Sequence, residues 1–398
     1  MRILHIQTRL PDESGGGGAN WPFVLARTQA VMGHEVETWG VLPNGPWLRR
    51  ERRDHWTINY ERPIMVRPFH LSDPLSLRCL MRVLMSLRKP ADVVHFHQYR
   101  MLQYRWLIPL AKARGMKVCL TDLGGGGWRN LPVRTGGRVD RFLLLSQYSA
   151  RFFLRGHEDE FRTDHGQWPT DHNYPGSPER IVIVGGGVDN TLYVPRQGPP
   201  DSPPYLLFVG RVLPHKGIEY PIRALGLLRE RYPSLRLKIA GAKGIAADYD
   251  TYLDKEVQRA GVEGRVEFLG FCDAPTQLRL YQGASLFVLP STYRSFNGRL
   301  VYKAELFGLV LLEAMACGVP VICSRVGGML EAVHDGETGL TFADQDAAGL
   351  AACVDRLLSD PPLRARLVEN AQRMIKAEYT WRRVAEKCLA AYEQLLAH

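Results

Sequence analysis

The 398-residue chain carries a formal charge of +10, with 45% hydrophobic and 23% charged residues. That balance supports a large core, about two or three domains, and excludes a disordered or fibrous chain, because its 26 prolines and 38 glycines are dispersed. A basic surface favours anionic partners such as nucleotide diphosphates, acidic membranes or nucleic acid. Nucleic acid is set aside, since no helix-turn-helix, zinc spacing or aromatic RNA-binding strand is present.

Short apolar runs alternate with longer amphipathic stretches, the pattern of βαβ units around parallel sheets. In the first half it predicts strands at residues 3–6, 35–39, 93–96, 118–121 and 142–146, with Gly33-His34 ending the helix before the second strand. Arg49-Arg50 and Arg52-Arg53 read as basic, solvated loops. The polar stretch 157–179 holds three histidines, yet without regular spacing it reads as a loop rather than a metal site. IVIVGGGVD then predicts a strand and glycine turn, and the proline-rich segment 196–204 an interdomain linker. The pattern restarts with strands at 205–209, 236–240, 266–270, 286–289, 320–324 and 340–342, and a last amphipathic helix over 381–396. Two such α/β domains leave a cleft at the carboxyl ends of both sheets, where open α/β folds bind ligands.

Five segments carry chemistry. In ELFGLVLLEAMACGVPVI, Glu305 is expected at a loop-to-helix junction and Glu313 two turns inside, about 12 Å along the axis. The amides of Phe307, Gly308 and Leu309 would then form an anion site at the helix start. Glu313 stands among apolar residues, so it needs hydrogen-bond donors, and the two hydroxyls of a ribose fit a bidentate carboxylate. The bland alternative is a wet helix face or an arginine partner.

In FVGRVLPHKG, Arg211 and Lys216 follow a strand end and can clamp a diphosphate, or be ordinary surface cations. The glycine run 15–18 lets backbone amides approach a ligand, or is a flexible loop. As a dinucleotide fingerprint with Glu37 as ribose acid it fits poorly, because Asn20 stands at the third glycine position. In DVVHFH, alternation puts His95 and His97 on one face of a strand. Metal binding, substrate contact and a structural role are open to them, with His95 the more structural and His97 nearer the strand end. Asp122, at another strand end before a glycine run, binds an acceptor hydroxyl or caps a helix.

In order and spacing these segments, with VEFLGF, LFVLPS and the closing YTWRRVAEKCLAAYEQLL, resemble family-4 retaining glycosyltransferases of the GT-B fold over nearly the whole chain. The resemblance implies two Rossmann-like domains facing across a cleft, with a C-terminal helix crossing back to the N-terminal domain. It divides the chain into an acceptor-binding domain (1–187 plus 380–398) and a nucleotide-sugar-binding domain (188–379). By position, Arg211 and Lys216 would hold the donor phosphates, Glu305 the transferred sugar and Glu313 the ribose. The amides of Phe307, Gly308 and Leu309 would bind the distal phosphate, with Gly16, Gly17 and Gly18 closing over it. Backbone around Leu269, Gly270 and Phe271 would meet the base.

No cofactor or metal is implied, because the cations and helix start take the leaving-group charge. Two departures stand out. The histidine that many members carry after the fourth N-terminal strand is replaced here by Thr121-Asp122-Leu123-Gly124, leaving Asp122 or His97 to substitute. The loop between Ser291 and Glu305 is lengthened beside the expected donor sugar, as a specificity element or an inert insertion.

The activity so implied is retaining transfer of a hexose from a nucleotide-diphosphate sugar to a hydroxyl of a glycan, lipid-linked or small-molecule acceptor. A catalytically degenerate binding protein and a GT-B epimerase are the alternatives. Seven cysteines without a CxxC pair read as reduced thiols, and neither a signal peptide nor an apolar run of about 18 residues is present. The expectation is a cytoplasmic protein with at most weak contact with the anionic inner face of a membrane.

Overall fold

The computed structural model describes residues 1–7, 10–11, 17–41, 48–61, 90–97, 104–123, 133–155, 178–301 and 305–397. Two compact units result, Met1–Gly186 with Trp381–His398, and Gly187–Thr380. The first contains β1 (Arg2–Gln7), β2 (Glu35–Val41), β3 (Leu48–Arg53), β4 (Trp56–Glu61), β5 (Val93–His97), β6 (Lys117–Thr121), β7 (Arg141–Leu144) and β8 (Ile181–Ile183). They form one sheet in the order β3-β4-β2-β1-β5-β6-β7-β8. The second contains β9 (Tyr205–Val209), β10 (Arg236–Ala240), β11 (Val266–Gly270), β12 (Leu286–Leu289), β13 (Val321–Ser324) and β14 (Leu340–Phe342), ordered β11-β10-β9-β12-β13-β14.

Every strand expected from an apolar run is present, shifted by at most a residue or two. The reason is burial on both faces: β5 (VVHFH) and β9 (YLLFV) are buried along their whole length, as helix-covered parallel strands must be. The helix Gly17–Val31 stops where expected, with Gly33 left-handed at φ 91° and His34 N–H reaching Gln29 O at 3.2 Å.

Two expectations fail. Arg49, Arg50, Arg52 and Arg53 lie on β3, which pairs antiparallel with β4 at the sheet edge. Along the ribbon Glu51 bonds Arg49 at 2.5 Å and Arg53 at 2.7 Å, and such a charged edge discourages pairing with another chain. The proline-rich segment 196–204 is not a linker but part of the second unit. Asp201 N–H bonds Gly283 O at 2.9 Å and Arg196 Nη1 bonds Ala284 O at 2.8 Å.

The last helix, Trp381–Leu396, packs with the first unit against the helix Gly17–Val31 and β6. Val384, Cys388, Ala391, Tyr392 and Leu395 are buried at helical spacing, and Trp381 meets Trp21 edge-on at 5.9 Å. A buried polar tie adds to this packing, Tyr392 OH to His95 Nδ1 at 2.6 Å. Among the described residues no helix is long and apolar enough to cross a membrane. Tyr392→Phe leaves a buried imidazole nitrogen without its partner, so the first unit should lose about 1–2 kcal/mol. Thermal unfolding checks this, and an unchanged midpoint would show that the bond contributes nothing.

Candidate active site

In the second sheet β9 is the first strand in sequence. The chain adds β10 and β11 on one side, then returns to add β12, β13 and β14 on the other. The order reverses between β9 and β12, and the loops leaving their carboxyl ends diverge there, creating the crevice used by ligands in such sheets. The loop after β9 exposes Arg211 and then makes a 3-10 turn, Pro214–Lys216, closed by Gly217 at φ 63°. A Cβ on Gly217 would lie 2.1 Å from Pro290 O, so only glycine lets this turn sit against the end of β12. Thr292 N–H completes the join to His215 O at 2.9 Å.

Across that junction Lys216 Nζ bonds Glu305 Oε2 at 2.6 Å, with the two side chains only 16% and 15% exposed. Among the described residues Arg211 has no ion-pair partner; its side chain is exposed, and its charge, like those of Lys216 and Glu305, is felt at His215. His215, which the sequence reading passed over, is pushed down to about 4 by burial and then by neighbouring Lys216, so its imidazole is neutral at physiological pH.

The helix after Glu305 is shorter than expected. It spans Leu309–Ala316 with Gly308 as a left-handed cap at φ 86°, so Glu305 lies in the preceding loop and Glu313 about one turn inside. The expected 12 Å axial separation therefore does not apply. Glu305 is held instead by the turn after β13: Gly328 N–H bonds Glu305 O at 3.1 Å, and a Cβ on Gly327 would lie 1.9 Å from that oxygen. Phe307 is buried against Tyr379 at 5.7 Å between ring centres. Among the described residues the amides of Phe307, Gly308 and Leu309 donate no hydrogen bond. At the far side of the same sheet Gly270 (φ 71°) ends β11 between the exposed side chains of Leu269 and Phe271.

Glu313 has donors within the protein. Tyr281 OH donates to Oε2 at 2.8 Å and the Tyr193 hydroxyl also faces the carboxylate. Burial outweighs both and pushes the carboxyl up to about 7. Two tyrosines from distant segments thus supply donors to this acid, so its burial does not by itself demand ribose hydroxyls.

The first sheet reverses its order between β1 and β5. At that point Gln7 and His97 are register partners, as are His5 and His95. Asp122 follows β6, whose Thr121 is the register partner of His97, so Gln7, His97 and Asp122 share one carboxyl edge. Gly17 and Gly18 open the helix Gly17–Val31, three residues earlier than the expected start near Asn20, and Gly16 lies outside the described residues. So do residues 157–177 of the polar histidine-bearing stretch.

His5, His95 and His97 are fully buried, with ligand nitrogens within 4.8 Å of one another. Burial lowers the pKa of each, to about 4 for His5 and well below 6.5 for the other two, so all three are neutral near pH 7. Neutral imidazoles suit a metal, but hydrogen bonds already account for their arrangement. His95 meets Tyr392 OH and Thr121 Oγ1, each at 2.6 Å.

His5 Nε2 donates to Gln29 Oε1 at 2.7 Å, which leaves its Nδ1 to accept from His97 Nε2–H at 2.9 Å. His97 thus keeps a bare lone pair on Nδ1. Among the described residues, that atom, both amide atoms of Gln7 and the indole N–H of Trp21 are buried without a hydrogen-bond partner. His5 had a sequence signal, as a polar residue inside an apolar strand. Gln7, Trp21 and Gln29 had none.

Residues 189–374 match the family model described as "Glycosyl transferases group 1". Over 341 residues, 78% of this chain and 69% of the relative, the sequence is 32% identical to a D-inositol 3-phosphate glycosyltransferase of Acidothermus cellulolyticus. The chain belongs to the group 1 glycosyltransferases. An uncharacterized glycosyltransferase, MJ1607 of Methanocaldococcus jannaschii, is 37% identical over 196 residues, which are 49% of this chain and 46% of that protein. The chain thus spans about half the length of several curated relatives it matches. The structure of Anabaena Alr3699/HepE in complex with UDP-glucose superposes with a TM-score of 0.68 at 17% identity, covering 100% of both chains. The two Rossmann-like α/β units of this glycosyltransferase are accordingly those of the GT-B fold.

The two units should respond to pH in opposite senses. His5, His95 and His97 refuse protons that the unfolded chain accepts, so the first unit loses stability as pH falls from 6.5 towards 4. Glu313 holds its proton more tightly folded than unfolded, so that contribution is complete below 4.5 and lost as pH rises through about 7. Glu313→Gln should remove the second effect, about 3 kcal/mol at most. Unfolding midpoints of both proteins across this range check it, and parallel pH profiles would contradict it.

Proposed function

We propose that this group 1 glycosyltransferase moves a hexose, with retention of configuration, from a nucleotide-diphosphate sugar to an acceptor hydroxyl. The observation that carries the reading is the Lys216–Glu305 pair closed at the β9/β12 switch point, with Arg211 beside it. A departing nucleoside diphosphate gathers negative charge. Lys216 and Arg211 stabilise it, and the amides of Phe307, Gly308 and Leu309 receive the distal phosphate. Glu305, at the same junction, contacts the sugar ring as positive charge develops there. The bond from the anomeric carbon to phosphate breaks while the acceptor oxygen bonds that carbon on the same face. The hydroxyl proton passes to the released phosphate oxygen. With protein cations holding the leaving group, this course needs no metal.

Glu313 faces a ribose with its free lone pairs while its tyrosines hold it in place, and Leu269, Gly270 and Phe271 lie where a base would stack. The acceptor is assigned to the first unit. There the lone pair on His97 Nδ1 accepts from a hydroxyl, and the unpartnered donors of Gln7 and Trp21 can bond its oxygen. Asp122 shares that edge and stands in for the histidine common at this position. The UDP-glucose bound by the Anabaena protein supports a nucleotide-sugar donor.

A panel of UDP-, GDP- and ADP-sugars scored by thermal shift should yield one stabilising donor. With that donor, Lys216→Ala and Glu305→Gln should each lower transfer about 100-fold or more. Transfer at the wild-type rate in either variant would sink the site assignment. An isomerised nucleotide sugar formed without acceptor would replace transfer by epimerisation. Product anomeric configuration and activity in a chelator test retention and metal independence.

A further inference from the structure

The lengthened loop after β12 is tied into the second unit too closely for an inert insertion. Its tip closes on itself through Ser295 N–H to Arg299 O at 2.9 Å, Gly298 N–H to Ser295 O at 2.8 Å and Val301 N–H to Tyr293 O at 2.6 Å. Phe296 lodges against Tyr252 and Tyr249 of the helix Ala247–Ala260, at 4.7 and 5.4 Å between ring centres. Tyr249 OH in turn holds Ile218 N–H at 2.9 Å, just beyond Gly217. At the base, Thr292 N–H bonds His215 O and Tyr293 N–H bonds Asp344 Oδ2 at 3.2 Å.

The Tyr293 hydroxyl accepts Gly327 N–H at 2.7 Å. Gly327 touches the Glu305 carbonyl so closely that no side chain fits, and Gly328 N–H bonds that carbonyl. A displacement of the 327–328 turn is therefore a displacement of Glu305. Hydrophobic anchorage at Phe296 fixes Tyr293, Tyr293 fixes the turn, and the turn fixes the carboxylate paired with Lys216.

We propose that Tyr293, braced by Phe296, is a positioning residue that sets the place of Glu305 at the donor sugar. The proposal rests on the transferase reading for its kinetic consequence, and on the hydrogen bonds alone for its structural one. Misplacement by about 1 Å can cost as much as about 100-fold in rate.

Tyr293→Phe deletes one hydroxyl and keeps the ring. It should lower kcat about tenfold or more with little change in acceptor KM, and add nothing further in a Glu305→Gln background, because coupled residues are not additive. Amide exchange should quicken at Gly327 and Gly328 while the thermal midpoint stays near that of the wild type. Phe296→Ala should reproduce both effects and Phe296→Leu restore most of the activity. Additive kinetic effects with Glu305→Gln, or unchanged protection at Gly327, would overturn the proposal. If the wild type used no donor at all, the transferase reading would fall, while the exchange measurement would still decide whether Tyr293 holds the Glu305 turn.

Discussion

Lys216 reaches Glu305 because Gly217 has no side chain to keep the β9 loop off the end of β12. The same constraint recurs around the sheet's carboxyl edge. A Cβ on Gly241 would lie 1.8 Å from Gly210 O, and one on Gly327 would lie 1.9 Å from Glu305 O. At each contact backbone lies against backbone, with no flexible side chain to yield. The edge that carries Arg211, Lys216, Glu305 and the 327–328 turn is therefore rigid by steric exclusion as much as by attraction. A 2.6 Å ion pair between long side chains is held in one geometry only when its supporting loops are so confined.

The two units share a logic at their switch points and differ in its chemistry. In the first, three imidazoles enter an apolar sheet centre as neutral groups linked by hydrogen bonds to Gln29, Thr121 and Tyr392. One of those links, to Tyr392, comes from the last helix of the chain, so the final 18 residues complete the centre of a sheet begun by the first ones. In the second, Lys216 and Glu305 pair at the crevice, while Glu313 deeper in the same unit is neutralised in part by burial between two tyrosines. A neutral, hydrogen-bonding switch point suits hydroxyls, and one that carries Lys216 and Arg211 suits a diphosphate.

Corrections to the sequence reading fall where a residue's partner comes from elsewhere in the chain. Glu313 was recognisable as an acid in an apolar helix, but Tyr193 and Tyr281 carry no periodic signal linking them to it. The arginines of β3 looked like a loop because a charged edge strand lacks the apolar alternation that reveals a buried one. The segment 196–204 looked like a linker because proline and glycine mark any non-helical, non-strand path, including one that packs tightly.

The amino-acid sequence by itself determined the strands built on apolar runs, the two α/β halves and the position along the chain of the residues proposed to face the donor. Burial on both faces of a parallel strand leaves an apolar run that needs no partner to be read, and Glu305, Arg211, Lys216 and His97 are local departures from such runs. Only the tertiary structure decided which of these meet. The Lys216–Glu305 pair spans 89 positions and the His95–Tyr392 bond 297, and no local pattern encodes contacts at that separation. The structure also decided that Glu305 is held from behind by Tyr293 and a glycine turn, since that contact depends on β12 and β13 lying side by side.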